Sequence, residues 1–381
     1  MGLTGRILAM TESYRIGIEE EYFVVDARTK AAARAMSEAF LEEAKTAAPG
    51  RVTSEFLQSQ IEVTTMPHAD MAEAGAELRR LRRTVAAIAA KHGLAILAAG
   101  THPTAAWVVQ RQTEAERYDI VMDELQMIGQ RDLLCGLHVH VELPATADRV
   151  DVMTRMLPFV PLFMALATSS PFWQSRQTGL RGYRLAAYDE LPRTGLPELF
   201  RNEREYDAYI AALVRAGVIA DASYVWWAIR PSLANPTLEL RAPDCCTRIS
   251  DSIAIAALYR AALRHLVRNP QVNAGLGPVE RALAVENKWR AQRYGIHGSF
   301  VDPVRGAISV GDMLDRTIAQ FDEDAHALGC RGEIEECRII PRSGTSADAQ
   351  LKVFAQANGG RGDPHAALSA VTDWIAQATL R

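Results

Sequence analysis

Residues 17–25 read GIEEEYFVV, three consecutive glutamates inside a run whose other members favour a buried strand. In an extended chain the side chains alternate faces at about 3.3 Å per residue, so Glu19 and Glu21 share one face and Ile18, Glu20 and Tyr22 the other. The two carboxylates then stand about 6–7 Å apart. Burying an unpaired carboxylate costs several kcal/mol, so their face must meet water, cationic side chains or a bound cation. A solvated edge strand is the plain alternative, and the other strands have to decide between them.

Three further stretches carry the same asymmetry. In LQSQIEVTT (57–65), Gln58, Gln60, Glu62 and Thr64 share a face opposite Leu57, Ile61 and Val63. In CGLHVHVEL (135–143), His138, His140 and Glu142 oppose Leu137, Val139, Val141 and Leu143. In TLELRAPD (237–244), Glu239 and Arg241 are backed by Leu238 and Leu240. A merely solvated sheet face mixes Lys, Thr, Ser and Glu to balance charge. These faces instead carry Glu19, Glu21, Glu62, Glu142 and Glu239 with no lysine. Hard divalent cations such as Mg²⁺ or Mn²⁺ prefer oxygen ligands with an occasional imidazole, and two ions about 3.5–4 Å apart form the usual clamp for phosphoryl chemistry. Zinc fits less well, because its His- or Cys-rich spacing is missing. No G-x-x-x-x-G-K-[ST] and no strand-to-helix G-x-G-x-x-G is present, which disfavours a P-loop and a dinucleotide fold. Phosphates would be held by metal and arginine, for which WWAIRPSLANPTLELR offers Arg230 and Arg241 and ENKWRAQRYG offers Lys288, Arg290 and Arg293. An ordinary amphipathic helix is the alternative for the second group.

The bulk properties exclude several classes. With 381 residues, 48% hydrophobic and 23% charged, the chain buries a sizeable core. A formal net charge of -4 gives no electrostatic reason to expect nucleic acid or an anionic membrane as partner. Five cysteines without a C-x-x-C pair argue against a disulfide framework or a zinc site and predict reduced thiols in a cytoplasmic protein. The opening MGLTGRILAM has no secretory pattern, and Met10 is an alternative start. The longest apolar run, MLPFVPLFMALA (156–167), is broken by prolines and is shorter than a bilayer span.

Period-2 patterns predict strands over 14–25, 57–64, 133–143, 223–229 and 237–242. Helices are expected at 36–47, 69–92, 113–130, 148–168, 197–215, 250–267, 277–292, 309–326 and 364–379. In the 69–92 helix, Arg79, Arg80, Arg82 and Arg83 read as a solvated face. The Gly-, Pro- and Arg-rich segment 176–197 is long enough to cover a site, and the Arg-Gly-Asp triplet at 361–363 reads as a turn before the last helix. No compositional break demands a boundary, so 1–381 is expected to be one catalytic domain, with a core over about 13–300 and a helical part over about 301–381.

The ordered set GIEEEYFVVD, SQIEVTT, GLHVHVE, SSPFWQSRQTG…YRLAAYDELPRTGLP, WWAIRPSLANPTLELRAPD and ENKWRAQRYGIHG resembles the carboxylate-amine ligase family, the type 2 glutamate-cysteine ligases. The match runs from about residue 13 to 297 and more loosely beyond; GTSADAQ (344–350) has Ala349 where the family carries a basic residue. The resemblance implies an α+β fold like the glutamine synthetase catalytic domain, a curved, mostly antiparallel sheet with a polar concave face and helices on the other side. It implies ATP and two or more Mg²⁺ or Mn²⁺ ions, with Glu19, Glu21, Glu62, His138 and Glu239 as metal ligands. Arg230 and Arg241 would steady the moving phosphoryl group, with Lys288 and Arg293 also touching nucleotide. His140 lines the site, and Arg184, in the covering segment, reaches the acid substrate. Glu142, where relatives often carry glycine, stays off the ligand set.

The reaction implied is amide formation from a carboxylic acid and an amine, amino acids among them, through an acyl phosphate, in a homodimer. Some site carboxylate must take the proton of the amine, and the sequence does not say which. Three other readings stay open: a metal-dependent phosphohydrolase, a guanidino phosphotransferase, and a non-catalytic protein that binds metal or amino acids.

Overall fold

Strand β1 (Ile16–Asp26) forms as its pattern implies: Ile16, Ile18, Glu20 and Tyr22 are buried, while Gly17, Glu19 and Glu21 are half-buried on the opposite face. The computed structural model describes residues 14–359 and 362–381. The expectations about a leader and about Met10 lie outside the described residues, as does Arg361. Of the expected turn, Asp363 caps the last helix by accepting from the His365 amide at 2.9 Å, with Pro364 in the first turn.

β1 anchors a seven-stranded sheet with β2 (Val52–Ser54), β3 (Gln60–Thr64), β4 (Leu94–Leu97), β5 (Leu137–Glu142), β6 (Ile229–Pro231) and β7 (Thr237–Leu240). The order is β2-β3-β1-β5-β7-β6, with β4 added beside the second half of β1, and every pairing is antiparallel. Register carries the chemistry. Glu21 lies opposite Glu62, Glu19 opposite His138, and Glu239 between His140 and Arg230. A slip of one residue on any strand would send its polar set into the core.

Helices α1 (Met71–Lys91) and α2 (Ile249–Arg268) cover the apolar face. Leu78, Leu81, Val85 and Ile88 of α1 are buried there as their spacing predicts. Arg82 departs from the expected solvated face. It turns inward, only 2% exposed, and binds Glu20 through Nε at 3.1 Å and Nη2 at 2.6 Å. Tyr22 and Ser252 each donate to Glu20 at 2.5 Å, and Arg82 donates onward to the carbonyls of Thr247, Cys246 and Thr379. The middle glutamate of the opening motif is therefore a buried structural ion, which explains a charge on the apolar side.

Two other differences have simple causes. The alternation over 223–229 does not make a strand there: Ala222–Tyr224 is a 3-10 turn and β6 starts only at Ile229. The alternation arises from aromatic packing, with Trp227 stacked on Tyr209 at 5.9 Å while Trp226 faces a cavity. β4 reads LAIL and pairs with β1, which leaves it no polar face to alternate. The proline-broken run folds as helix Arg149–Met156, a 3-10 turn and helix Val160–Ala167, and is buried in the interior. α3 (Pro278–Tyr294) and α4 (Pro364–Thr379) complete the frame used below. All five cysteines are buried and free.

Candidate active site

Alternation along β1, β3, β5 and β7 brings the polar side chains to one face. Carboxylate and imidazole atoms of Glu21, Glu62 and His138 lie within 4.8 Å of one another, and so do those of Glu19, His138 and Glu239. His138 joins the two groups, with Nδ1 3.4 Å from Glu19 and Nε2 3.7 Å from Glu21. His140 sits 3.4 Å from Glu19 and 3.8 Å from Glu239, its Nδ1 held by Thr237 Oγ1 at 2.9 Å.

The donor set suits a hard divalent cation, and a structural observation supports the fit. His138 Nε2 is buried and has no hydrogen-bond partner among the described residues. Burial, and then the charge of Arg241, hold His138 below the ordinary histidine value, so the ring is neutral at pH 7, as a ligand must be. Burial and the neighbouring carboxylates push Glu62 well above the usual range. That cluster favours any partner that brings positive charge.

Glu239 is differently placed. Arg230 Nε reaches it at 2.7 Å and Arg241 Nη1 also donates to it. Burial opposes its charge, but the two guanidinium groups hold Glu239 well below the usual range. Arg241 Nε is buried without a hydrogen-bond partner among the described residues. Arg184 approaches from the short helix Tyr183–Tyr188, its Nη1 bonded to the carbonyls of Arg241 and Pro243 and its Nε unpartnered. Arg184, Arg230 and Arg241 line a cavity of about 260 Å³ together with Glu21. Its wall includes Phe56, Tyr188 and Trp226.

The structure thus brings Glu19, Glu21, Glu62, His138, His140, Arg184, Arg230, Glu239 and Arg241 together. It does not bring in Lys288 and Arg293. Lys288, on α3, is ion-paired with Asp189, and Arg293 lies exposed against the ring of Tyr294. Neither lines a cavity on the sheet. Glu142 pairs with Arg15 at 2.7 Å, apart from both metal-type groups.

Three residues escaped the sequence reading. Glu55 precedes β3 and lines the cavity, where burial and the charge of Glu21 push its carboxyl up to about 8. Asp132, in the connection before β5, lines the same cavity and is pushed up to about 7 by burial and Glu21. Gly136 donates its amide to Glu21 at 2.5 Å, and a Cβ there would overlap the Arg184 guanidinium and meet His138 Nε2 at 2.8 Å. Glu55 and Asp132 lie outside any alternating strand, so no period marked them.

A family description, glutamate-cysteine ligase family 2, matches residues 15–367. The chain belongs to that family. Among its relatives, a Bradyrhizobium sp. protein named "Putative glutamate--cysteine ligase 2" is 53% identical over 367 residues, covering 96% of this chain and 88% of its own. A protein of the same name from Rhodospirillum rubrum is 42% identical, covering 97% of this chain and 96% of its own. The fold is shared with far more distant ligases. The crystal structure of a glutamate-cysteine ligase from Francisella tularensis in complex with AMP matches with a TM-score of 0.71 at 14% identity, over 97% of this chain and 89% of that one. A bifunctional glutathione synthetase from Pasteurella multocida matches with a TM-score of 0.69 at 14% identity; 96% of this chain aligns, spanning 52% of that longer protein. The fold is therefore shared with the glutamate-cysteine ligases.

Proposed function

We propose that this protein is an ATP-dependent carboxylate-amine ligase joining two amino acids, with glutamate as acid and cysteine as amine the pair its relatives' names suggest. The observation that carries the reading is the strand register that sets Glu19, Glu21, Glu62, His138 and Glu239 side by side against Arg184, Arg230 and Arg241. A carboxylate is a poor acyl donor until it is phosphorylated. Divalent cations held by Glu19, Glu21, Glu62, His138 and Glu239, with Glu55 beside them, would screen the charge of the transferring phosphoryl group.

The remaining work falls to the chain's own residues. Arg241, with an unpartnered Nε, steadies the phosphoryl oxygens, and Arg230 fixes Glu239 so that Arg241 is held in place. Arg184 addresses the carboxylate of the acid substrate. Segment 183–191 closes over the cavity and limits hydrolysis of the acyl phosphate by water. A single hydrophobic core running from Tyr14 to Ala376 supports one catalytic unit over the described residues.

The test is ADP release across pairs of amino acids and amines with Mg²⁺ or Mn²⁺, with mass spectrometry of the product. Release that requires both substrates, with an amide product, supports ligation. Equal release without the amine, and no amide, would establish a phosphohydrolase instead.

A further inference from the structure

Ligation needs a group that takes a proton from the incoming amine, because an ammonium ion has no lone pair to attack with. The cavity offers three carboxylates, Glu21, Glu55 and Asp132. Glu21 stands with Glu62 and His138 and accepts from the Gly136 amide. Glu55 leans on Glu62 and on the Phe56 amide. Asp132 belongs to neither metal-type group, and its carboxylate makes no hydrogen bond or ion pair with the described residues. None of the described histidines lines this cavity.

We propose that Asp132 is the catalytic base that receives the proton of the amine substrate. This rests on the ligase reading above. The ammonium group gives one proton to the Asp132 carboxylate, and the freed lone pair attacks the carbonyl carbon of the acyl phosphate. A C–N bond forms and the C–O bond to phosphorus breaks, with its electron pair leaving on phosphate. The second nitrogen proton goes to the departing phosphate, and Asp132 returns its own proton to solvent as products leave. Position favours the assignment, since Asp132 lines the same cavity as Arg184 and Arg241, the arginines assigned above to the acid carboxylate and the phosphoryl group. Its charged and titratable neighbours are Glu21 on β1, Glu55 before β3, Arg184 and Tyr188 on the covering helix, and Arg241 after β7. Burial and Glu21 raise it while the two arginines oppose the rise, leaving it near 7, suited to taking a proton at neutral pH and releasing it again.

The experiment uses the intact protein with MgATP and L-glutamate, offering either L-cysteine or hydroxylamine as nucleophile. Hydroxylamine is largely unprotonated at neutral pH and needs no base. Asp132→Asn should lower kcat for the amide about 100-fold or more while hydroxamate formation stays within about threefold of the parent. The acidic limb of the parent's pH profile for amide formation should vanish in this variant, and Asp132→Glu should recover part of the rate. An equal fall with both nucleophiles, or no fall with either, overturns the assignment. If the parent makes neither amide nor hydroxamate with any acid of the screen above, the ligase reading fails and this inference goes with it. Matching melting temperatures of the parent, Asp132→Asn and Asp132→Glu guard against a folding defect.

Discussion

At the scale of single residues, the opening EEE motif divides its labour, and each half predicts a different phenotype. Glu20 and Arg82 form a buried ion pair, and removing one partner strands the other in the core. Arg82→Met should lower stability by about 3–5 kcal/mol, read as a fall in the urea midpoint; a change below about 1 kcal/mol would mean that water reaches the pair. Gly136 tests the site itself. Gly136→Ala pushes the Arg184 and His138 side chains apart, so ligation should drop about 100-fold with little change in the far-UV spectrum. His102 predicts a pH effect. Its Nε2 donates to the Lys30 carbonyl at 2.9 Å, and Nδ1 accepts from the amides of Thr104 and Ala105. Burial lowers it from 6.5 to about 4. An unfolded chain protonates this ring near 6.5 and the folded one only near 4, so stability holds above pH 6.5 and falls as pH drops through that window. The loss is on the order of 3 kcal/mol. An NMR titration of the ring should find it neutral down to pH 5, and a midpoint near 6.5 would contradict the structure.

At the scale of elements, two covering pieces meet over the cavity. Helices Glu116–Leu125 and Met127–Gln130 lie on one side and the segment 183–197 on the other; Arg131 pairs with Glu190 at 2.8 Å and Arg193 approaches Glu124 at 3.6 Å. Glu190→Ala releases one of these ties. It should raise ATP hydrolysis in the absence of amine several-fold relative to ligation, measured as phosphate released per amide formed; an unchanged ratio would deny the segment its role as a cover. This scale also shows what could be read in advance. The polar faces of β1, β3, β5 and β7 were legible because a strand has period two and an unbalanced carboxylate face is rare. Several helices appeared close to their observed limits, as with α1, expected over 69–92 and found over Met71–Lys91, whereas the helix Ser346–Asn358 went unread. β4 stayed hidden because both its faces are apolar. Glu55 and Asp132 stayed hidden because residues in connections take their positions from the fold around them. Lys288 was misplaced because its partner, Asp189, approaches from the covering segment.

At the scale of the whole molecule, the candidate ligands come from positions 19, 21, 62, 138 and 239, so whatever binds them ties distant parts of the chain together. Mg²⁺ with a non-hydrolysable ATP analogue should raise the melting temperature by a few degrees. Glu21→Gln together with Glu62→Gln should abolish that rise, and a rise that persists would place the nucleotide elsewhere.

The far end of the chain is part of the same construction. Thr379, at the end of α4, accepts a bond from Arg82 through its carbonyl and from the Ala98 amide through its hydroxyl. The cation that neutralises Glu20 is thus held in part by a residue 297 positions further along the chain. Without α4 in place, Arg82 Nη1 keeps only the Thr247 carbonyl and the Ala98 amide loses its acceptor. Cutting α4 away should therefore expose the Ala98 amide to rapid hydrogen exchange.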